Sequence, residues 1–247
     1  MFRELPKKSD AAIVAEWNAL APVRFDQITS GEDITFRHVL APEIIRLVSL
    51  QGVSTILDAG CGVGVLSHML AERGHRVTGI DPSERSIAIA TSHFSDSVLF
   101  RALSIEAYAD SRPSPADLII ANMVLMDVVN LASFLSAARS LLRSGGALIF
   151  SITHPCFWPA YYGYADEPWF CYKREIIIES PFRISAQQDC TLTSTHVHRP
   201  VEKYLQEFAS SGMQLETLLE PIPDAGVQKM YSTAWKSPRY MVGLCRA

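Results

Sequence analysis

Residues 55–64 read Thr-Ile-Leu-Asp-Ala-Gly-Cys-Gly-Val-Gly, and Asp81 stands 21 positions after Gly60. Ile56 and Leu57 close a run with the pattern of a buried strand. Gly60, Gly62 and Gly64 follow within five residues, a turn in which the backbone can approach a ligand without a Cβ in the way. Val65, Leu66, Met69 and Leu70 then recur at helical spacing, which predicts a helix whose N-terminus points at that turn. A second strand, Arg76 to Ile80, ends on Asp81, where an acidic side chain can accept hydrogen bonds from both hydroxyls of a ribose. The stretch therefore predicts a nucleoside-containing cofactor.

The spacing narrows which one. A dinucleotide fingerprint, Gly-x-Gly-x-x-Gly, needs a third glycine where Val65 stands. Asp58 beside the turn suits a pyrophosphate poorly, because like charges repel, but suits a ligand with an ammonium group. S-adenosylmethionine carries an ammonium, a sulfonium and a ribose, and no phosphate. Four segments, Leu57-Asp58-Ala59-Gly60-Cys61-Gly62-Val63-Gly64, Gly79-Ile80-Asp81-Pro82-Ser83, Ala116-Asp117-Leu118-Ile119-Ile120-Ala121-Asn122 and Leu141-Leu142-Arg143-Ser144-Gly145-Gly146-Ala147-Leu148-Ile149, occur in the order found in the class I S-adenosylmethionine-dependent methyltransferases. Over about residues 50–155 the chain resembles that family. The resemblance implies a doubly wound, mostly parallel seven-stranded Rossmann-like α/β sheet and S-adenosyl-L-methionine as cofactor. It implies that Asp58, Ala59, Gly60, Cys61 and Gly62 hold the methionine end, Asp81 the ribose, and Pro82 and Ser83 the adenosine side. It further implies that Leu103, Ser104 and Ile105 meet the adenine and that Asn122 and Met123 line the methyl-donor region. Many relatives have an acid at the adenine position, which the hydroxyl of Ser104 replaces only in part.

Composition sets the outer limits. The chain has 247 residues, 48% of them hydrophobic, enough for one sizeable core. A net charge of −4 offers no broad basic field for nucleic acid. The opening decapeptide lacks the apolar run of a signal peptide, and the most apolar segment, 116–135, is interrupted by Asp117, Asn122, Asp127 and Asn130. Five irregularly spaced cysteines, without a Cys-x-x-Cys pair, suggest neither a disulfide framework nor a zinc site. A cytoplasmic protein, with no membrane segment, is the expectation.

Alternating patterns predict strands at 53–58, 76–80, 97–101, 117–121 and 147–153 and helices at 64–73, 83–92 and 130–142, the signature of parallel β-α-β units. Helices are also predicted at 10–21 and 37–50, with a polar loop over 26–33 between them. Strands are predicted at 174–180, 190–197, 213–220 and 239–246, and a helix at 200–211. The expected organisation is a single domain, 1–247: a helical N-terminal cap (1–50), a cofactor-binding core (51–154), an aromatic-rich insertion or lid (155–199) and a C-terminal completion of the core (200–247).

Methyl transfer is an in-line displacement at a carbon activated by a sulfonium, so alignment of the nucleophile dominates, and a hydroxyl nucleophile gains from a base such as histidine. His154, at the end of a predicted central strand, is the leading candidate for a substrate-facing base. His196 and His38 are weaker ones. His196 and His198 could share a strand face, but no third ligand has recognisable spacing, and no metal is expected. In the insertion, Phe157, Trp158, Tyr161, Tyr162 and Trp169, with His154, form the expected substrate-facing group, as a lid over an apolar or planar acceptor; packing or a subunit interface is the other reading of those aromatics. The expected reaction is methylation of a small, partly apolar or aromatic metabolite at O, N or C by a monomer or homodimer. The alternatives are a macromolecular acceptor, tRNA or protein, against which the acidic charge counts, and a cofactor-binding regulatory protein.

Overall fold

A computed structural model describes residues 2–187 and 190–247. Its centre is a seven-stranded sheet built from β2 (Thr55–Ala59), β3 (Arg76–Ile80), β4 (Leu99–Arg101), β5 (Ala116–Asn122), β6 (Leu142–Thr153), β9 (Gln214–Leu219) and β10 (Tyr240–Arg246). The strand order is β4-β3-β2-β5-β6-β10-β9. All pairs from β4 to β6 are parallel, while β10 runs antiparallel to both β6 and β9. The order reverses between β2 and β5, and it is outside the C-terminal ends of strands at such a switch point that open α/β sheets bind ligands.

Strand periodicity divides the core between two faces. Ile56, Leu118, Ile120 and Ile149 pack with α2 (Ala41–Ser49), α3 (Val65–Ala71) and α4 (Glu84–Phe94) on one side. Their neighbours Leu57, Ile119, Ala121 and Leu148 pack with α6 (Leu131–Leu141) and α8 (Val201–Ser210) on the other. No helix among the described residues is long and apolar enough to cross a membrane.

Three departures from the sequence reading matter for the site. Helix α1 runs over Asp10–Thr29, straight through Pro22 and through the first half of the predicted loop. Tertiary contacts outweigh the local breaker: Ala21 and Gln27 are buried, Arg24 pairs with Asp33 at 2.7 Å, and Phe25 lies 4.3 Å from the His93 ring on α4. The segment after it, predicted as one helix, opens with a π-helical turn, Phe36–Leu40, before α2. Strand β6 begins at Leu142, so Ser144-Gly145-Gly146 lies inside the strand, where its register with β5 shifts, rather than ahead of it.

The insertion forms a second, antiparallel sheet, β1-β7-β8, from β7 (Ile176–Pro181), β8 (Thr193–His198) and an unpredicted strand β1 (Arg3–Leu5). Lys8 joins this sheet to α1, donating to Glu179 and Thr195 at 2.7 Å each and pairing with Glu16. Cap and insertion thus make a single roof over the C-terminal edge of the large sheet.

Candidate active site

The site begins where β2 ends. The N–H groups of Gly60 and Cys61 both donate to the carbonyl of Ile80, at 2.7 and 3.0 Å, so the turn is fastened to the end of β3. Gly60 adopts φ +79, and a Cβ there would collide with the Val124 side chain. Gly62, at φ +52, has nothing within 4 Å of the position a Cβ would take. It opens onto a cavity of about 670 Å³ lined by residues from every part of the chain.

Two carboxylates flank that opening. Asp81 accepts from the Gly62 N–H at 2.9 Å through Oδ2 and from the Ser83 N–H at 2.8 Å through Oδ1. Ser83 caps α4, accepting from the Ser86 N–H, and donates to Asn18 of α1 at 2.8 Å. Asp58 is buried and accepts from the Ser67 hydroxyl at 2.5 Å. Burial pushes the Asp58 carboxyl up to about 7 and that of Asp81 up to about 6, against the hydrogen bonds that favour ionisation. Two carboxyls raised in this way favour a cation beside them, which would draw both back toward ionisation.

Asp58, Gly60, Cys61, Gly62, Asp81, Pro82, Ser83, Asn122 and Met123 all line the cavity. Asn122 accepts from the Ser151 hydroxyl at 2.7 Å. Met123 is held at φ +58 with its N–H on Ser151, a left-handed backbone that a non-glycine residue adopts at a cost. Ala59 is fully buried at the end of β2 and does not line the cavity. Leu103, Ser104 and Ile105 lie outside the lining. The Ser104 hydroxyl caps the short helix α5 (Ile105–Asp110), where it accepts from the Ala107 N–H, and Ile105 belongs to the core. These three residues, to which the resemblance assigns the adenine, are thus not among those that line the cavity, and the Ser104 O–H remains a donor.

Of the acceptor-side candidates, Trp158, Tyr161, Tyr162 and His196 line the same cavity. Trp158 and Tyr162 stack with ring centroids 4.7 Å apart. His196 hydrogen-bonds the Tyr164 hydroxyl at 3.2 Å. Burial, with the nearby His198, pushes its pKa down to about 3, so the imidazole is neutral. His154 does not join them. Thr153 lines the cavity, and the alternation of a strand turns the next side chain to the opposite face. There its Nε2 is 2.7 Å from Glu220 and its Nδ1 accepts from the Cys156 N–H at 3.1 Å. Both ring nitrogens are occupied, and the expectation of a substrate-facing base at His154 is corrected accordingly. Phe157 packs on the His154 ring, and Trp169 packs on Tyr164, neither in the lining. His38 sits exposed on the π-helical turn.

The cavity also brings in residues with no local signal in the sequence: Trp17 and Arg24 from α1, Asp127 after β5, Phe182 and Arg183 after β7, and Tyr231, Arg239 and Tyr240 near the C-terminus. Asp127 makes no side-chain hydrogen bond or ion pair among the described residues. Burial first, then Glu16, pushes its carboxyl well above the usual range. Among the described residues no cluster of three or more histidine, cysteine or acidic side chains could hold a metal, and all five cysteines are free.

The comparisons with known proteins agree with this geometry. A family model described as a methyltransferase domain matches residues 51–202. A ubiquinone biosynthesis O-methyltransferase of Stutzerimonas stutzeri is 32% identical over 149 residues, covering 58% of this chain and 62% of that one. Its counterpart from Nitrosomonas europaea is 38% identical over 100 residues, covering 39% and 43%. The matches thus span less than two thirds of the length of these relatives. The fold is similar to that of a Mesorhizobium loti S-adenosylmethionine-dependent methyltransferase, with a TM-score of 0.64 and 22% identity over 83% of this chain and 96% of that one. It is also similar to a Burkholderia thailandensis 1,6-didemethyltoxoflavin N1-methyltransferase, with a TM-score of 0.61 and 17% identity over 99% and 92%. With the domain model matching more than half of its residues, and with the strand order and glycine turn described above, the chain belongs to the class I S-adenosylmethionine-dependent methyltransferases.

Proposed function

We propose that this protein methylates a small, partly apolar or aromatic acceptor, using S-adenosyl-L-methionine. The observation that carries the proposal is the continuity of one cavity, from the Asp58–Gly62–Asp81 turn to a chamber walled by Trp17, Trp158, Tyr161, Tyr162, Phe182 and Tyr240. The cofactor fits the residues present. Gly62 leaves open the space its backbone faces, each Asp81 oxygen keeps a lone pair beyond its single backbone bond, and Asp58 supplies negative charge beside the turn. When bound, S-adenosylmethionine provides an electrophilic methyl group on a sulfonium.

The chain's own contribution is binding and alignment. The aromatic walls present flat apolar surface to a planar acceptor, and the roof of α1 and the β1-β7-β8 sheet covers part of the chamber. Such alignment accounts for roughly 7–11 kcal/mol of a barrier in well-oriented systems. For an acceptor that must lose a proton, Asp127 is the lining group beside the chamber that holds a proton more firmly than an ordinary carboxylate once ionised, whereas burial disfavours a proton on His196 and leaves it to donate or accept a hydrogen bond as a neutral imidazole. A cytoplasmic location suits five free cysteines.

Calorimetric titration with S-adenosylmethionine, S-adenosylhomocysteine and NAD, followed by turnover on a panel of phenols, amines and activated carbon acids read as S-adenosylhomocysteine release, tests the reading. Binding of the first two without NAD, and turnover of a small acceptor, is the expected result. Cofactor binding with transfer only to tRNA or protein would replace the small acceptor by a macromolecule.

A further inference from the structure

The far end of the cavity has the opposite electrostatic character from the cofactor turn. Arg183 and Arg239 both line it, and neither takes part in an ion pair among the described residues. Arg239 is only 5% exposed. Its guanidinium carbon lies 3.6 Å from the Tyr161 ring centroid, 4.6 Å from that of Trp235 and 5.6 Å from that of Tyr231. It donates to the Thr233 carbonyl at 3.0 Å. Tyr161, Tyr231 and Tyr240 are the titratable groups that act on it most strongly, and Asp33, which acts on the same tyrosines, is itself paired with Arg24. Arg183 has a buried Nε with no hydrogen-bond partner. By contrast Arg24, the third arginine of the lining, is neutralised by Asp33 at 2.7 Å.

A guanidinium withdrawn from water is costly to keep unless an opposite charge faces it. Here buried Arg239 and half-buried Arg183, whose Nε is buried without a partner, share a chamber with aromatic walls and take part in no ion pair among the described residues. We propose that the acceptor is an organic anion, a carboxylate or similar oxyanion on a planar apolar body, and that Arg183 and Arg239 are the specificity-determining residues that read the charge. The inference rests on the methyltransferase reading above and names its substrate class. The cavity is then a complementary pair: carboxylates Asp58 and Asp81 for the cationic nucleoside, guanidiniums for the anionic acceptor. Planar guanidinium forks match oxyanions geometrically as well as in charge. The anionic group is the recognition handle, and stacking on Tyr161, Trp158 and Phe182 holds the planar body.

The test uses the full chain saturated with S-adenosylhomocysteine. Benzoate, 4-hydroxybenzoate, 2-naphthoate and indole-2-carboxylate are titrated beside their primary amides, read by calorimetry and by tryptophan fluorescence. At least one acid should bind at least about tenfold tighter than its amide, and that preference should weaken with added salt. Arg183→Met and Arg239→Met should each erase most of the preference while affinity for S-adenosylhomocysteine stays within about twofold. Arg183 lies outside any helix or strand, so its variant decides the matter should Arg239→Met not fold. Amides binding as tightly as acids, none of the acids binding to the loaded protein, or the acid preference surviving in Arg183→Met would each overturn the proposal and leave the methyltransferase reading intact. Failure of S-adenosylhomocysteine itself to bind would sink both.

Discussion

The backbone N–H of Gly62 donates to Oδ2 of Asp81 at 2.9 Å, so the glycine turn and the carboxylate at the end of β3 are one mechanical unit. The other Asp81 oxygen holds the N–H of Ser83, whose hydroxyl reaches Asn18 of the cap. A single side chain therefore ties two strand ends and the start of α4 to the roof of the cavity.

Asp81→Asn isolates the charge from the shape. The amide can still accept through its oxygen, but its NH₂ faces a backbone N–H, and a charge-assisted bond to a ribose hydroxyl is lost. Removing such a bond costs about 1.5–3 kcal/mol, equivalent to roughly 10- to 100-fold in affinity. Calorimetry should show S-adenosylmethionine and S-adenosylhomocysteine weakened alike, since both carry the ribose. Unchanged affinity would remove Asp81 from the cofactor site.

The raised pKa values of Asp58, about 7, and Asp81, about 6, have a defined pH consequence. In the free protein both carboxyls are protonated below their shifted values, so ionisation, and with it attraction for a cation, grows from pH 5 to 8. Affinity for S-adenosylmethionine, which carries a sulfonium as well as an ammonium, should rise over that window more steeply than affinity for S-adenosylhomocysteine, whose sulfur is neutral. Protons should be released on binding, visible as a buffer-dependent calorimetric enthalpy. Stability of the free protein runs the other way. For a carboxyl raised on folding, the stabilising contribution is complete below the unfolded value near 4 and is lost as pH rises through 6 to 7. Ser67→Ala removes the hydroxyl that favours the ionised Asp58 and should move the affinity profile to higher pH.

How much of this was legible in the chain depends on whether a residue's role is set by its neighbours in sequence. The core strands were, because Ile56-Leu57 and Leu118-Ile119-Ile120-Ala121 must feed two hydrophobic faces at once and so read as continuous apolar runs. The glycine turn and Asp81 were, because their spacing is local. Helix α1 beyond Pro22 was not, since the contacts that sustain it come from Asp33 and His93. Strand β1 is three residues long and pairs with β7, more than 170 positions away. Asp127, Arg183 and Arg239 meet only in space. His154 failed on parity: its place at the strand end was correctly read, but it is Thr153 that faces the cavity.

Arg199 is the second joint of the roof. Its side chain is fully buried and pairs with Glu175 at 2.7 Å, while its remaining N–H groups donate to the carbonyls of Leu125, Val128 and Val129. Those carbonyls belong to the loop that carries Asp127 into the cavity. Arg199→Met keeps volume but strands three buried carbonyl acceptors, each costing about 1–3 kcal/mol when left unpaired, while the half-exposed Glu175 stays solvated. Thermal unfolding should show a large fall in Tm. Where the variant remains folded, acceptor KM should rise while cofactor affinity holds, because the Asp58–Asp81 unit makes no contact with Arg199.

His154→Ala separates a structural histidine from a catalytic one. The ring bridges Glu220 at 2.7 Å and the Cys156 N–H at 3.1 Å, and it packs 4.5 Å from the Phe157 ring. Its own N–H holds the carbonyl of Arg239, which extends the β6–β10 ladder by one residue beyond Thr153. Removing the imidazole deletes two hydrogen bonds and leaves a void beneath the loop that starts the insertion, together worth about 1–3 kcal/mol of stability. The expected result is a lower Tm with the pH dependence of kcat unchanged, and restoration of most of the stability by His154→Gln, which can donate to Glu220 but cannot shuttle a proton. Loss of a limb of the pH–kcat profile in His154→Ala, with Tm unaltered, would return this residue to the reaction.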